Sequence, residues 1–241
     1  MPSFPPALAH NAIEEILPDL FFVSGAMETV LMDLDWQFSR NMTIVRDGER
    51  LILINTVRLD DDGLAELDRL GKVTDVIRLG ALHGRDDAFY VDRYQAQYWV
   101  MPGLEPEDQS GSEREANVLG QTLPLSDASL FQFQTTKLPE GVLHLQRDGG
   151  ILIACDALQN WLKPDEHFCD ASRQRMEQMG FFTPANIGPV WLQAAEPAAE
   201  DFNRLKTLNF KHVLCGHGHP LLDNAKEDFS ATFDRVFHCQ A

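Results

Sequence analysis

Imidazole and carboxylate groups gather just past apolar runs at three places in this chain. The first is Gly80-Ala81-Leu82-His83-Gly84-Arg85-Asp86-Asp87, after the run Val73–Leu79. The second is Asp156, directly after Ile151–Cys155, and the third is Gly216-His217-Gly218-His219-Pro220, after His212–Cys215. Short apolar runs of this kind read as strands, and loops at strand ends are where sites are usually built. A carboxylate closing a buried strand needs a partner, because leaving it unpaired is costly. Imidazole nitrogen and carboxylate oxygen are the donors that suit zinc, iron or manganese. Glycines on both sides of His217 let the backbone pass close to an ion or ligand. Taken singly, each piece has a local explanation: His83 as a hydrogen-bonded loop residue, Asp156 as a helix cap for Ala157 onward, His217-Gly218-His219-Pro220 as a turn. Three such pieces at successive strand ends point to a site. His144, inside an apolar run, reads as a satisfied sheet residue, and His10, His167, His212 and His238 carry no spacing signal.

The elements that must position these groups alternate between strand and helix patterns. Leu20–Ser24 is a short strand, and Asn41–Arg46 with Leu51–Asn55 forms a hairpin around Asp47-Gly48-Glu49. Asp60-Asp61-Asp62-Gly63 starts a helix carrying Leu64, Leu67 and Leu70, and Gly71 ends it. Strands are expected at Val73–Leu79 and Tyr98–Met101, followed by the acidic loop Glu105–Arg114. The second half gives strands at Ser129–Gln134, Val142–Arg147, Ile151–Cys155 and His212–Cys215, with helices at Ala171–Met179, Ala199–Leu208 and Ala225–Phe237. Residues 159–200 hold Trp161, Phe181, Phe182 and Trp191 among several prolines, an aromatic-rich helical insert after Asp156. Its aromatics read as core of a helical layer in preference to a lid. The whole suggests two αβ halves packed together in an α/β sandwich with the helices outside.

Composition excludes several classes. The 241 residues carry 20 Lys+Arg against 37 Asp+Glu, a formal charge of −17, so no basic surplus exists to displace counterions from nucleic acid or to hold an anionic membrane. No apolar stretch approaches the ~20 residues of a spanning helix, and the opening Met-Pro-Ser-Phe-Pro-Pro is unlike a secretory signal. Four cysteines, at 155, 169, 215 and 239, lack Cys-x-x-Cys spacing and read as reduced thiols of a soluble cytoplasmic protein. Cys155 and Cys215 are expected to be buried core thiols.

In order and spacing the chain resembles the metallo-β-lactamase fold superfamily over nearly its whole length. Leu51-Ile52-Leu53-Ile54-Asn55-Thr56 is similar to that family's hydrophobic strand ending in Asp-Thr-Gly, with Asn55 for the Asp. Ile153-Ala154-Cys155-Asp156-Ala157-Leu158 resembles its Thr-Gly-Asp-x-Leu strand end, whose Asp is a metal ligand. Leu214-Cys215-Gly216-His217-Gly218 resembles its closing Pro-Gly-His-Gly, whose His is another. The resemblance implies a single α/β domain over residues 1–241, an αββα four-layer sandwich of the metallo-β-lactamase type.

The chain also departs from the family. The signature His-x-His-x-Asp-His is reduced to His83-Gly84-Arg85-Asp86-Asp87-Ala88, which fits in two registers. One aligns Asp87 with the Asp; the other places Arg85 there and Asp86 at the last His. The family's further His falls on Leu138 in Leu138-Pro139-Glu140-Gly141. A full dinuclear zinc site is therefore absent, and the surviving set is His83, Asp86 or Asp87, Asp156 and His217. Such a set would hold one divalent ion, zinc before iron or manganese, with an open position for water of lowered pKa. The resemblance then implies a metal-dependent hydrolase acting on a small ester-, thioester-, lactone- or phosphoester-like substrate. Asp156 would take the proton, and Arg85 would bind an anion or an oxyanion. The alternative is a metal-free, non-catalytic protein in which Arg85 replaces the lost cation, pairs with Asp156 and forms a salt-bridged pocket for a small ligand or partner.

Overall fold

A computed structural model describes residues 4–31, 33–105 and 115–237 of the chain. The acidic stretch Glu105–Arg114, apart from its first residue, and His238 and Cys239 lie outside the described residues.

Two sheets face each other. The larger has seven strands in the order β1 (Glu14–Leu17), β2 (Leu20–Leu31), β3 (Leu34–Asp47), β4 (Arg50–Ile54), β5 (Lys72–Arg78), β6 (Gln97–Val100) and β7 (Asn117–Val118). It is antiparallel from β1 to β4 and parallel from β4 to β7. The smaller has β8 (Ala128–Gln132), β9 (Gly141–Leu145) and β10 (Ile151–Ile153) in antiparallel succession, with β13 (His212–Leu214) parallel to β10 on the other side. A short pair, β11 (Leu158–Gln159) and β12 (Asn186–Ile187), lies outside both.

Three apolar layers account for the stacking. Leu20, Ile52, Ile54, Ile77, Leu143, Leu145, Ile151, Ile153 and Leu214 form one buried cluster between the sheets. The other face of the large sheet buries Val23, Ile44, Leu53 and Val76 against Leu64 and Leu67 of α1 (Asp61–Leu70) and Phe89 and Tyr90 of α2 (Asp87–Tyr94). The other face of the small sheet packs under α4 (Pro189–Ala195), α5 (Ala199–Lys206) and α6 (Ala225–Phe237), through Trp191, Phe202, Phe229 and Phe233. Strands with both faces covered read as continuous apolar runs, which is why Leu51–Ile54 and Ile151–Ile153 lack alternation. The result is the αββα sandwich expected from the sequence. No described helix is long and apolar enough to cross a membrane.

Two parts differ from expectation. The strands read as Leu20–Ser24 and Asn41–Arg46 are the inner ends of one long hairpin, paired from Leu20↔Val45 out to Leu31↔Leu34. Its outer half stands beyond the sandwich, where the cross-strand pairs Met27↔Phe38 and Thr29↔Trp36 share a face. The period-2 pattern Leu34-x-Trp36-x-Phe38 is its signal in the sequence. Helix α2 is also unforeseen. It has eight residues, and its N-cap Asp86 makes no side-chain capping bond because its carboxylate is engaged elsewhere.

The insert after Asp156 contains α3 (Asp170–Gln178), and its Trp161, Phe168, Met176 and Phe181 form a buried cluster with Trp36 of the hairpin. The aromatics are core, and the same cluster walls the cavity described below.

Cys155 sits fully buried between the sheets and Cys215 in the layer between the small sheet and its helices, and burial pushes both thiols up. Cys169 instead caps α3, and the Ser172 hydroxyl and N–H hold its thiol down. In a Cys239→Ser background a chromogenic disulfide reagent should therefore consume one thiol quickly, and Cys169→Ser should abolish that phase. Cys155 and Cys215 should react only on unfolding; a second fast equivalent would contradict their burial.

Candidate metal centre

Asp156 and His217 are level with each other because β10 and β13 run parallel, with Ile153 opposite Leu214. Each functional residue follows its strand's last paired residue by the same three positions, and the strands continue to bond through Ala154 N–H to the Leu214 carbonyl, 2.9 Å. His83 arrives from the other sheet, in the loop between β5 and α2. Arg78, the last residue of β5, braces that loop by donating to the Gly80 carbonyl at 3.2 Å and the Ala81 carbonyl at 2.9 Å.

Four donor atoms from three residues meet. His83 Nε2 is 3.2 Å from His217 Nε2 and 3.3 Å from Asp156 Oδ2, and His217 Nε2 is 3.2 Å from Asp156 Oδ1. All three side chains are buried. The far side of His217 fixes its tautomer, since Nδ1 is 3.0 Å from the Ser39 carbonyl oxygen, and a carbonyl only accepts. Neutral His217 therefore carries its hydrogen on Nδ1 and presents a bare lone pair at Nε2. That lone pair lies 3.2 Å from a carboxylate oxygen and 3.2 Å from His83 Nε2, so a hydrogen on His83 Nε2 or a metal ion between them would satisfy it. The two imidazoles face different oxygens of the one carboxylate, Oδ2 for His83 and Oδ1 for His217, so the cluster brings two nitrogens and two oxygens together. Imidazole nitrogen and carboxylate oxygen are donors that would suit a divalent ion.

Neighbouring residues fix these ligands. Asn41 of β3 donates to the Cys215 and Gly218 carbonyls at 3.0 and 2.6 Å, and its own N–H reaches the Gly216 carbonyl at 2.8 Å. Ser24 Oγ orients Asn41 by donating to its Oδ1 at 2.6 Å. Gly218 has φ +84°, and a Cβ there would lie 2.4 Å from the Asn160 backbone, so no other residue fits. The ring of His217 lies between Phe38 and Trp161, at centroid distances of 5.8 and 5.1 Å.

Behind Asp156 stand two groups that sequence reading did not assign to the site. The Cys155 thiol donates to Asp156 Oδ2 at 3.4 Å, and His83, Cys155 and Asp156 each offer a donor atom within 4.8 Å of the others, a possible metal group in its own right. Cys155 does not line the cavity, whereas His217 does. Glu140 is buried, accepts from the Ala157 N–H with Oε1, and leaves Oε2 without a partner. Burial, and then the charge of Asp156, pushes Glu140 well above the usual carboxylate range. Burial alone would push Asp156 up too, but the imidazoles of His83 and His217 outweigh it and hold the group down at about 2. Glu140 lies two residues past Leu138, which itself packs in the outer apolar layer. A carboxylate between Pro139 and Gly141, opening an apolar strand, was the available signal.

Arg85, Asp86 and Asp87 do not join the cluster. Asp86 accepts from the buried Arg40 guanidinium and, at 2.7 Å, from the Arg58 N–H. Asp87 accepts from Thr56 Oγ1 at 2.5 Å and from the Tyr98 hydroxyl at 2.9 Å. Both sit at the start of α2, whose first turn carries them away from the His83 loop. Arg85 donates to the Glu28 carbonyl on the hairpin and makes no ion pair with Asp156. The arginine buried close to the site is Arg40, and its charge is matched by Asp86.

Above the three residues opens a cavity of about 190 Å³. Met27, Trp36 and Phe38 come to it from the hairpin, Leu82 from the His83 loop, and Trp161, Met176, Phe181 and Val190 from the insert. Apart from the cluster itself, Thr29 and Gln159 are its polar lining residues.

No family model matches the sequence, and no curated protein is similar to it. Solved structures are. The DIM-1 metallo-β-lactamase exposed to ceftazidime superposes with a TM-score of 0.59 at 12% identity, over 98% of this chain and 100% of that one. A metallo-β-lactamase from Erythrobacter litoralis gives 0.55 at 12%, over 92% of each chain. FIM-1 from Pseudomonas aeruginosa, in its mono-zinc form, gives 0.53 at 12%, over 96% of this chain and 98% of that one. The chain has the metallo-β-lactamase fold. His83 is the one imidazole in the segment between β5 and α2.

Burial lowers His83 to about 4, so it stays neutral in the folded protein while the unfolded chain takes up a proton below about 6.5. In the presence of a chelator, stability should hold above pH 6.5 and fall as the pH drops toward 4, by up to about 3 kcal/mol. Urea midpoints across this range should lose that slope in His83→Gln. An equal slope in the variant would remove the assignment.

Proposed function

We propose that this protein is a metal-dependent hydrolase with a single divalent ion held by His83, Asp156 and His217, zinc before iron or manganese. The observation that carries the reading is the bare Nε2 of His217 held 3.2 Å from a carboxylate oxygen by the Ser39 carbonyl behind it. A divalent ion at this place supplies Lewis acidity and a water of lowered pKa. The chain's own residues do the rest. Asp156, kept ionised, is the one carboxylate lining the cavity and is the group positioned to accept a proton from the attacking water. His83 and His217 fix its two oxygens, and the aromatic wall excludes bulk water from the reacting bond.

The cavity suits a small, uncharged ester-, thioester- or lactone-like substrate. No lysine or arginine lines it, so a phosphoester would find no counter-charge among the lining side chains. The rival reading, a metal-free pocket in which Arg85 takes the place of the cation, loses its support because Arg85 is engaged with the Glu28 carbonyl.

Metal analysis of untagged protein tests the proposal. About one equivalent of divalent metal is expected, lost in Asp156→Ala and His217→Ala and retained in Asp87→Asn and Arg85→Ala. The metal-loaded protein should hydrolyse small neutral esters or thioesters, and the two ligand variants should lose at least a hundredfold. Absence of metal after reconstitution, or equal metal content in all four variants, would overturn it.

A further inference from the structure

Gln159 is an anomaly in this cavity. It belongs to β11, its backbone pairs with Asn186, and its side chain is buried at 3% exposure in the cavity wall. Its Oε1 is wholly buried and has no hydrogen-bond partner among the described residues. Around it the wall is Trp161, Met176, Phe181 and Val190. The side chain also packs close to Gly188, where a Cβ would come within 2.6 Å of Nε2 and 2.2 Å of the Asp156 carbonyl oxygen. Gly188 thus leaves room for this side chain close to the strand end that carries Asp156.

An unpaired buried amide oxygen is costly, whereas an apolar side chain of the same shape carries no such penalty. The polar group is explained if a ligand completes it. The last torsion of a glutamine side chain is soft, so a small turn offers the acceptor to the cavity. A ligand ammonium is a poor match, because the surrounding wall is apolar and desolvating a charge there is costly. A neutral N–H beside an apolar group is the matching chemistry. The cavity is smaller than the ~300–1,000 Å³ of clefts that enclose drug-sized molecules, so it takes a short apolar group and leaves the remainder of the ligand at the mouth.

We infer that Gln159 determines ligand specificity: the site takes an uncharged compound carrying a short apolar group and an amide N–H that hydrogen-bonds to the Gln159 carboxamide. This rests on the cavity proposed above as the substrate site and names the class of compound it selects.

The test uses two isosteres that differ at one group, N-hexylacetamide and 2-nonanone, in which a CH₂ replaces the N–H. Each is titrated into the purified protein, with and without chelator, and read by calorimetry and by the fluorescence of the cavity tryptophans Trp36 and Trp161. Without a specific partner the ketone should bind better, because the amide is the harder group to remove from water. The expected result is the reverse, with the amide about tenfold tighter, the worth of one hydrogen bond to a buried acceptor. Gln159→Met keeps the volume and removes the carboxamide, so it should fold with equal or higher thermal stability and restore the ketone preference. Equal or tighter binding of the ketone by the native protein overturns the inference, as does failure of both to bind or an amide preference that survives in Gln159→Met. Neither binding readout requires a metal. Loss of the amide preference in a protein that holds its ion would refute this inference alone, and a preference that persists in a protein unable to bind metal would leave it standing while the hydrolase reading falls.

Discussion

A lone pair and a carboxylate held face to face set the terms for the rest of the molecule. His217 Nε2 and Asp156 Oδ1 would repel each other if the chain were free to part them, but neither can move away. The Ser39 carbonyl fixes the imidazole from behind, Asn41 holds the loop on both sides of it, and the parallel register of β10 and β13 brings Asp156 to the same level. The restraint comes from three separate strands, so relaxing the contact would mean breaking backbone pairing in both sheets. Such restraint would suit the ion site proposed above, since the cost of ordering its donors would be borne before an ion arrives. A buried cluster left without any cation would instead be a net liability.

This dependence explains why the long hairpin matters to the site. Ser39 and Asn41 belong to its β3 strand, as do Trp36 and Phe38 further out. One strand therefore orients a ligand, pins the backbone that carries it, and supplies the wall of the cavity above it. The wall is completed by the insert after Asp156, through an aromatic cluster that joins Trp36 to Trp161, Phe168, Met176 and Phe181. Interiors packed to this density transmit displacement, so a change in the hairpin reaches the ligands with little attenuation.

The sequence made the sandwich legible because its strands are buried on both faces and its helices carry one apolar stripe each, patterns that survive in a single chain. His83, Asp156 and His217 were legible for a related reason: each follows an apolar strand at a glycine-rich or loop-forming turn. What could not be read is where neighbouring carboxylates point. Asp86 and Asp87 lie three and four residues from His83, yet they serve Arg40, Thr56 and Tyr98, partners far away in sequence. Gln159 was invisible as a site residue because a single buried polar side chain has no periodic signal, and Glu140 showed only as a carboxylate opening an apolar strand. Their significance appears only when the absence of hydrogen-bond partners is counted in three dimensions.

Charge accounting ties the dry cavity to the kind of ligand it admits. Burial keeps His83 neutral, and burial together with Asp156 keeps Glu140 and Cys155 protonated, so Asp156 brings the one negative charge of the ligand cluster. Arg40 is balanced by Asp86. A divalent ion at the proposed position would then leave about one net positive charge facing an apolar cavity, where low polarisability makes that charge act strongly on the nearest oxygen. Outside, the protein carries a formal charge of −17, which opposes the approach of anions. An anionic compound would meet that field at range and find no arginine lining the cavity, Arg40 being paired with Asp86 while Arg78 and Arg85 line a neighbouring cleft. A neutral molecule enters without that opposition and can turn its carbonyl oxygen to the one positive centre, which is why the apolar wall and the acidic surface favour the same class of ligand.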